Sequence, residues 1–330
     1  MRGGFTAELY RNLRGPVRHN IHELSGVSVG AIVAGCAAMP NGDDYLKSTM
    51  STMDSAKFVP DRNMFQSIYH LWKAASGQSS SFYGNDRLQS LLHGVFSGHT
   101  VSVPVLTIGV TDTETLEQHH ISLNGGEPIN INLILASCSL PGLFPPVSIF
   151  GHRFIDGGIR RGFVRQSVVN SLRNNDIQNV LLLGCSPWSG KLNGKNTTKY
   201  DVTSLLARIG LTRWFENLPA CTKEYLSIIQ AGDYVPDGRA ILLCNGTTLH
   251  KIITPDNGEC ASASEYTKAV ILAAPTEAEF ATIMDVTLLD SPERRRHTSI
   301  RIQKYGRSAA DELNAMMARC GLETLRLKLT

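Results

Sequence analysis

Residues 20–38 read NIHELSGVSVGAIVAGCAA, a short β-type run that leads through a serine into a helix of small residues. The serine, Ser28, is the centre of a G-x-S-x-G pattern, which is typical of a nucleophile elbow when it lies between a strand and a helix. In an elbow the strand and the helix pass so closely that the positions two residues away must lack side chains, and Gly26 and Gly30 occupy them. The alternative is an ordinary turn in which the serine caps the helix.

Short β-rich runs and helical patterns alternate along the rest of the chain, which predicts a sheet covered by helices. The segment from about 186 to 257 is richer in Gly, Asn, Thr and Pro, and we expect inserted or peripheral structure there. The predicted strands are 20–24, 103–110, 119–123, 147–154 and 180–183, and the predicted helices are 28–39, 86–96, 129–137, 164–174 and 308–319.

The composition of the chain argues against several classes of protein. Its 330 residues are 42% hydrophobic and carry a net charge of +3, which is typical of neither a disordered chain nor a nucleic-acid-binding protein. Seven cysteines without a CxxC pair or a Cys/His cluster indicate neither a metal site nor a disulfide framework. The longest uncharged apolar stretch, 29–39, is about half of a bilayer span. Because charged residues interrupt the first twenty positions, no secretory signal is expected, and we predict a cytoplasmic α/β protein.

A second candidate group, Asp156-Gly157-Gly158, ends a β-rich run. Its glycines allow the backbone to turn sharply and bring the carboxylate against another loop. The alternative is a plain hairpin or Asx turn, which Asp-Gly commonly forms. The later histidines, His250 and His297, lack the flanking loop signals of a catalytic base, so the residues favour a Ser-His-Asp triad only weakly.

With these two groups the sequence resembles the patatin-like phospholipases, which pair a G-x-S-x-G serine with an aspartate in D-G-G or D-G-A and use no histidine. Residues 136–146, ASCSLPGLFPP, are similar to a segment that the family often carries between the two. Residues 1–7, MRGGFTA, resemble the end of the family's G-G-G-x-R-G loop. The resemblance covers about residues 1–173, is fainter at 294–319, and is largely absent at 186–257.

The resemblance implies a three-layer α/β/α fold with a central, largely parallel sheet, in a single domain over residues 1–330. It also implies that Ser28 attacks a lipid or phospholipid ester with Asp156 as its base, without a metal or an organic cofactor. The implied partners are lipids and, peripherally, membranes, but no nucleic acid. The motif positions that shape the two turns and the oxyanion loop are Arg2, Gly3, Gly4, Gly26, Gly30, Gly157 and Gly158.

The chain departs from the family pattern at its beginning. The family's loop opens with glycines after a strand, so we expect that first strand and those leading glycines to be missing here. Two alternatives follow: a patatin-like scaffold that binds lipid or a partner but cannot stabilise an oxyanion, and a Ser-His-Asp esterase. The basic cluster at 294–296, Arg301 and Lys304 is expected to be a solvated face, with anionic lipid headgroups as the alternative contact.

Overall fold

Two β-sheets and the helices around them make up the described part of the chain, and the α/β class is confirmed. The computed structural model describes residues 2–13, 21–52, 81, 83–141, 143–159, 179–183, 239–245, 248–253, 255, 268–273, 275–276, 279 and 292–322. The helices are α1 (Arg2–Asn12), α2 (Val29–Ala37), α3 (Gly42–Thr52), α4 (Asp86–Phe96), α5 (Ile131–Ser137) and α6 (Pro292–Arg319), with a 3₁₀ turn at Gly157–Ile159.

The first sheet has five strands arranged around β2 (Val105–Asp112). Strand β1 (Glu23–Val27) runs parallel to β2, whereas β3 (Gln118–Asn124) and β5 (His152–Asp156) run antiparallel to it. Strand β4 (Val147–Ile149) forms a hairpin with β5. The inner residues of β2 are fully buried, so this strand is the centre of the first core.

The second sheet has four strands in the order β6, β9, β7, β8. Strands β6 (Asn179–Leu183) and β9 (Lys268–Ala273) are parallel, and β7 (Arg239–Asn245) is antiparallel to both β9 and β8 (Thr248–Ile253). Each sheet therefore combines a parallel pair with antiparallel neighbours. Strands β7 and β8 fall in the segment expected to be inserted or peripheral. Strand β8 lies at an edge of the sheet, whereas β7 is an inner strand, and its Ile241 is fully buried.

Helix α1 lies between the two hydrophobic cores. Ala7 and Tyr10 pack into the core of the first sheet, whereas Phe5, Leu9 and Leu13 pack into the core of the second. Because the helix buries apolar side chains on two faces, it has no single apolar stripe, and the sequence pattern did not predict it.

The longest helix, α6, packs closely against α1. At Gly306 an added Cβ would lie 2.5 Å from the carbonyl oxygen of Phe5, so the contact requires a glycine. The Glu8 carboxylate accepts hydrogen bonds from Arg11 at 2.7 Å and from Arg307 at 2.9 Å. In the described ranges, no helix is both long enough and apolar enough to cross a bilayer.

Most of the predicted elements are confirmed, with four differences. The strand predicted at 20–24 is β1, which begins at Glu23 and ends at Val27. The strand predicted at 147–154 is the β4–β5 hairpin, which turns at Phe150 and Gly151, where φ is 53° and 81°. The helix predicted at 308–319 is only the second half of α6, whose first half is too rich in arginine to show an apolar stripe. The helix predicted at 164–174 lies outside the described residues.

Candidate active site

Ser28 lies on a strained turn between β1 and α2. Its backbone has φ 57° and ψ −131°, a conformation that side chains disfavour, and its side chain makes no hydrogen bond that caps α2. The capping alternative is therefore wrong. A Cβ added at Gly26 would lie 2.3 Å from the carbonyl oxygen of Gly30, so the strand and the helix approach as an elbow requires.

The reason expected for Gly30 is wrong. A Cβ added there meets no described atom within 4 Å, apart from the backbone of its own helix. Among the described residues, the space in front of Gly30 is open, on the first turn of α2, beside Ser28. The elbow thus requires a glycine at position 26, two residues before the serine, whereas Gly30 leaves room at the first turn of α2.

The C-terminal end of α5 holds the elbow in place. The buried Ser137 hydroxyl accepts a hydrogen bond from the backbone N–H of Ser28 at 2.9 Å and donates one to the carbonyl of Gly109 at 2.7 Å. The Cys138 thiol lies 3.2 Å from the carbonyl oxygen of Ser28 and donates to it. Sequence reasoning assigned no role to these residues, although 136–146 was singled out as a family-like segment.

Asp156 is the last residue of β5, and it is buried and hydrogen-bonded. It is 3% exposed, its N–H donates to the carbonyl of Ser139 at 3.0 Å, and its Oδ1 accepts from the N–H of Gly158 at 2.7 Å. A Cβ added at Gly157 would lie 2.3 Å from the carbonyl oxygen of Gly109. The glycine after the aspartate is thus required by close packing against β2.

A hydrogen bond from β3 also fixes this turn. Gln118 donates from Nε2 to the carbonyl of Gly157 at 3.1 Å, and its Oε1 lies 2.9 Å from Nε2 of His120. Burial and the neighbouring His119 lower the pKa of His120, and the Glu23 carboxylate only partly opposes them.

The sheet register brings the Ser28 and Asp156 turns together. Strand β3 occupies one edge of β2 along residues 105–111, so β1 and β5 share the other edge. On that edge Val27 is opposite Gly109, and Asp156 is opposite Val110, the next residue of β2. Strands β1 and β5 run in opposite directions, so their last residues meet there.

Two further observations are consistent with this meeting point. Burial and the negative charge of Asp156 raise the pKa of Cys138 well above its usual value, and the same thiol donates to the carbonyl of Ser28. A Cβ added at Gly158 would lie 3.0 Å from Oδ1 of Asp156 and 3.6 Å from Cγ1 of Val27. One thiol and one glycine therefore lie against both turns.

The predicted oxyanion segment is not a loop. Arg2, Gly3 and Gly4 form the first turn of α1, and Gly4 packs against Ile302 and Gln303 of α6. Within the described ranges no hydrogen bond joins this turn to Ser28.

The histidines considered for a triad belong to other elements. His250 lies in β8 of the second sheet, and His297 lies on the exposed surface of α6. Neither element carries Ser28 or Asp156.

Comparison with known proteins found one family. Residues 1–166, which include the elbow and the Asp156 turn, match the family model described as patatin-like phospholipase. A comparison with curated proteins found no match.

Proposed function

Because this chain belongs to the patatin-like phospholipase family, we propose that it hydrolyses carboxylic esters of lipids with Ser28 as the nucleophile and Asp156 as the base. The observation that carries the proposal is the register of β2, where the ends of β1 and β5 meet at adjacent residues. A strained serine and a buried carboxylate at one point of a sheet are typical of a nucleophile and its base.

The reaction has two steps. The Ser28 hydroxyl oxygen attacks the ester carbonyl carbon while Asp156 takes the hydroxyl proton. When the tetrahedral intermediate collapses, the alcohol leaves with that proton, and the acyl group stays on Ser28. A water molecule then attacks the acyl ester, gives its proton to Asp156, and releases the fatty acid as Ser28 regains a proton.

The first turn of α2 is our candidate for stabilising the oxyanion. The first N–H groups of a helix have no partner inside the helix, and they carry its positive dipole end. Those of Val29 and Gly30 directly follow Ser28, and no described atom lies within 4 Å of a Cβ added at Gly30, apart from its own helix backbone. A donor of this kind typically lowers the barrier by about 3–4 kcal/mol.

The second candidate is a lipid-binding scaffold without hydrolysis. What favours it is the position of Arg2, Gly3 and Gly4 in the first turn of α1, where they are helix residues rather than a loop at Ser28. If the N–H groups of α2 cannot stabilise the oxyanion alone, the protein binds lipid esters without cleaving them.

A fluorophosphonate probe distinguishes these functions. We expect the wild type to be labelled, Ser28→Ala to be unlabelled, and the isosteric Asp156→Asn to be labelled far more slowly. Ser25→Ala is the matched control, because Ser25 is an exposed serine of β1 three residues away, and its labelling should equal that of the wild type.

Three outcomes would contradict the proposal. A wild type that is not labelled would favour the scaffold. Labelling that survives Ser28→Ala would assign the nucleophile elsewhere. Labelling that survives Asp156→Asn but is lost in His250→Ala or His297→Ala would favour a Ser-His-Asp esterase.

A further inference from the structure

The positive charge of the chain is concentrated on the first half of α6. Between 294 and 307 the helix contains six Lys and Arg residues and no Asp or Glu. Without those six, the chain has 26 basic residues against its 29 acidic residues, so the rest of the protein is net negative. A charge separation of this kind orients a protein towards an anionic surface.

Three of the positive side chains, those of Arg296, Arg301 and Lys304, lie on the exposed face of α6, whereas Arg307 pairs with Glu8 of α1. Arg296, His297, Ile300, Arg301 and Lys304, which we call the basic face, are exposed, and Ile300 is 57% exposed at its centre. The opposite side of α6 packs against α1 and the second core.

In the described part of the chain, no carboxylate lies within ion-pair distance of Arg296, Arg301 or Lys304. Arg301 donates a hydrogen bond of 3.4 Å to the Tyr305 hydroxyl. Ion pairs between described residues therefore do not account for the cations of the basic face. Because Ile300 is 57% exposed, the hydrophobic effect contributes little to stability at this position.

We propose that the basic face of α6 docks the protein on the surface of an anionic lipid bilayer. Clusters of Lys and Arg on an amphipathic helix bind anionic headgroups, and an apolar side chain among them enters the boundary between headgroups and acyl chains. An exposed isoleucine has no suitable contact on the phosphate backbone of a nucleic acid, so the patch fits a bilayer better.

Docking through this face brings the bilayer close to the first turn of α1. Gly4 packs against Ile302 and Gln303, which lie on the same turns of α6 as the basic face. The bilayer would then lie about one helix diameter, roughly 10 Å, from Gly4. The inference extends the proposed function, since it rests on that function for the lipid substrate and adds the surface that meets the lipid.

The test measures binding of the full chain to vesicles with Ser28→Ala, so that no lipid is consumed. One set of vesicles contains phosphatidylcholine alone, and in the other about a third is anionic phosphatidylglycerol. We expect sedimentation with the anionic vesicles only, and weaker binding as salt rises. The double variant Arg296→Glu/Lys304→Glu should bind at least about 30-fold more weakly, because each cation near an anionic surface contributes about fivefold.

The matched control is Lys47→Glu/Arg319→Glu, which changes one exposed lysine and one exposed arginine elsewhere and has the same net charge. It should bind nearly as the wild type does. Thermal unfolding of both variants excludes misfolding, and Arg296→Glu is expected to be tolerated near a helix N-terminus.

Equal loss in both double variants would overturn the proposal, because net charge alone would then explain binding. Equal binding to phosphatidylcholine vesicles, or displacement of the vesicles by an RNA competitor, would also overturn it. Hydrolysis of a soluble short-chain ester by the wild type tests the proposed function separately. A failure of that reaction with intact vesicle binding would therefore leave this inference standing.

Discussion

Replacing Ser28 by glycine should remove the activity and make the protein more stable than replacement by alanine. With φ 57° and ψ −131°, Ser28 is in a region where residues with a Cβ store about 1–3 kcal/mol of strain. Glycine relieves that strain but loses about 0.5–1 kcal/mol of backbone entropy on folding relative to alanine. The net expectation is that Ser28→Gly is about 1 kcal/mol more stable than Ser28→Ala.

Equilibrium urea unfolding measures this difference, and Ser25 provides the control. Ser25 is an exposed residue of regular β1, so Ser25→Gly should be about 0.5–1 kcal/mol less stable than Ser25→Ala. Relative to alanine, glycine should therefore stabilise the protein at position 28 and destabilise it at position 25. Both Ser28 variants should lose ester hydrolysis by about 10⁴–10⁶-fold, the scale seen when a serine nucleophile is removed.

Two results would refute this reasoning. If Ser28→Gly is less stable than Ser28→Ala, the turn stores no strain, and the argument for an elbow loses its physical basis. If Ser28→Ala keeps the activity, the strain is real but another residue is the nucleophile.

Four further predictions follow from individual contacts. Ser137→Ala removes the acceptor of the Ser28 N–H and one donor to the Gly109 carbonyl, so it should cost about 1–3 kcal/mol in urea unfolding and also lower ester hydrolysis. Unchanged stability would mean that water replaces the hydroxyl. Gly306→Ala should lower the free energy of unfolding by about 1–3 kcal/mol, because the added methyl group overpacks the contact with α1. Gly94 is exposed in α4, and no described atom lies near a Cβ added there, so Gly94→Ala should raise the free energy of unfolding by up to about 1 kcal/mol. Phe150→Asn should stabilise the β4–β5 hairpin by about 1 kcal/mol in thermal unfolding. The phenylalanine is 77% exposed and has a positive φ, which asparagine tolerates better. A destabilised variant would indicate that the phenylalanine ring makes a stabilising contact. Burial raises the pKa of Asp112, but backbone N–H groups and two nearby histidines lower it more, so its net pKa lies below the ordinary value of 3.8. Asp112→Asn should therefore destabilise at pH 7, and the difference should shrink as the pH falls below about 4 and disappear only below the lowered pKa.

The sequence predicts the two turns because each depends on short-range patterns. Gly26 is two residues before Ser28, and Gly157 directly follows Asp156, so the close approaches that need them are encoded locally. The pairing of Ser28 with Asp156 comes from the family resemblance, because their spacing in the sequence does not indicate that they lie together.

Sequence reasoning missed what depends on contacts between distant elements. Ser137 is one buried serine among small and apolar neighbours, and only the fold shows that its hydroxyl joins Ser28, 109 residues before it, to Gly109. Helix α1 was missed for a related reason, because it is apolar towards two cores at once. Periodicity identifies a helix with one buried face, and this helix has two.

The carbonyl of Gly109 restricts the register of β5. This carbonyl accepts from Ser137 and lies where a Cβ on Gly157 would be, so β1, α5 and β5 are all positioned by one peptide of β2. A slip of β5 by one residue would point the Asp156 side chain to the opposite face of the sheet. It would also place Asp156 or Gly158, instead of Gly157, against that carbonyl. Because a residue with a Cβ cannot fit there, close packing at Gly109 excludes the slip that brings Asp156 to this position.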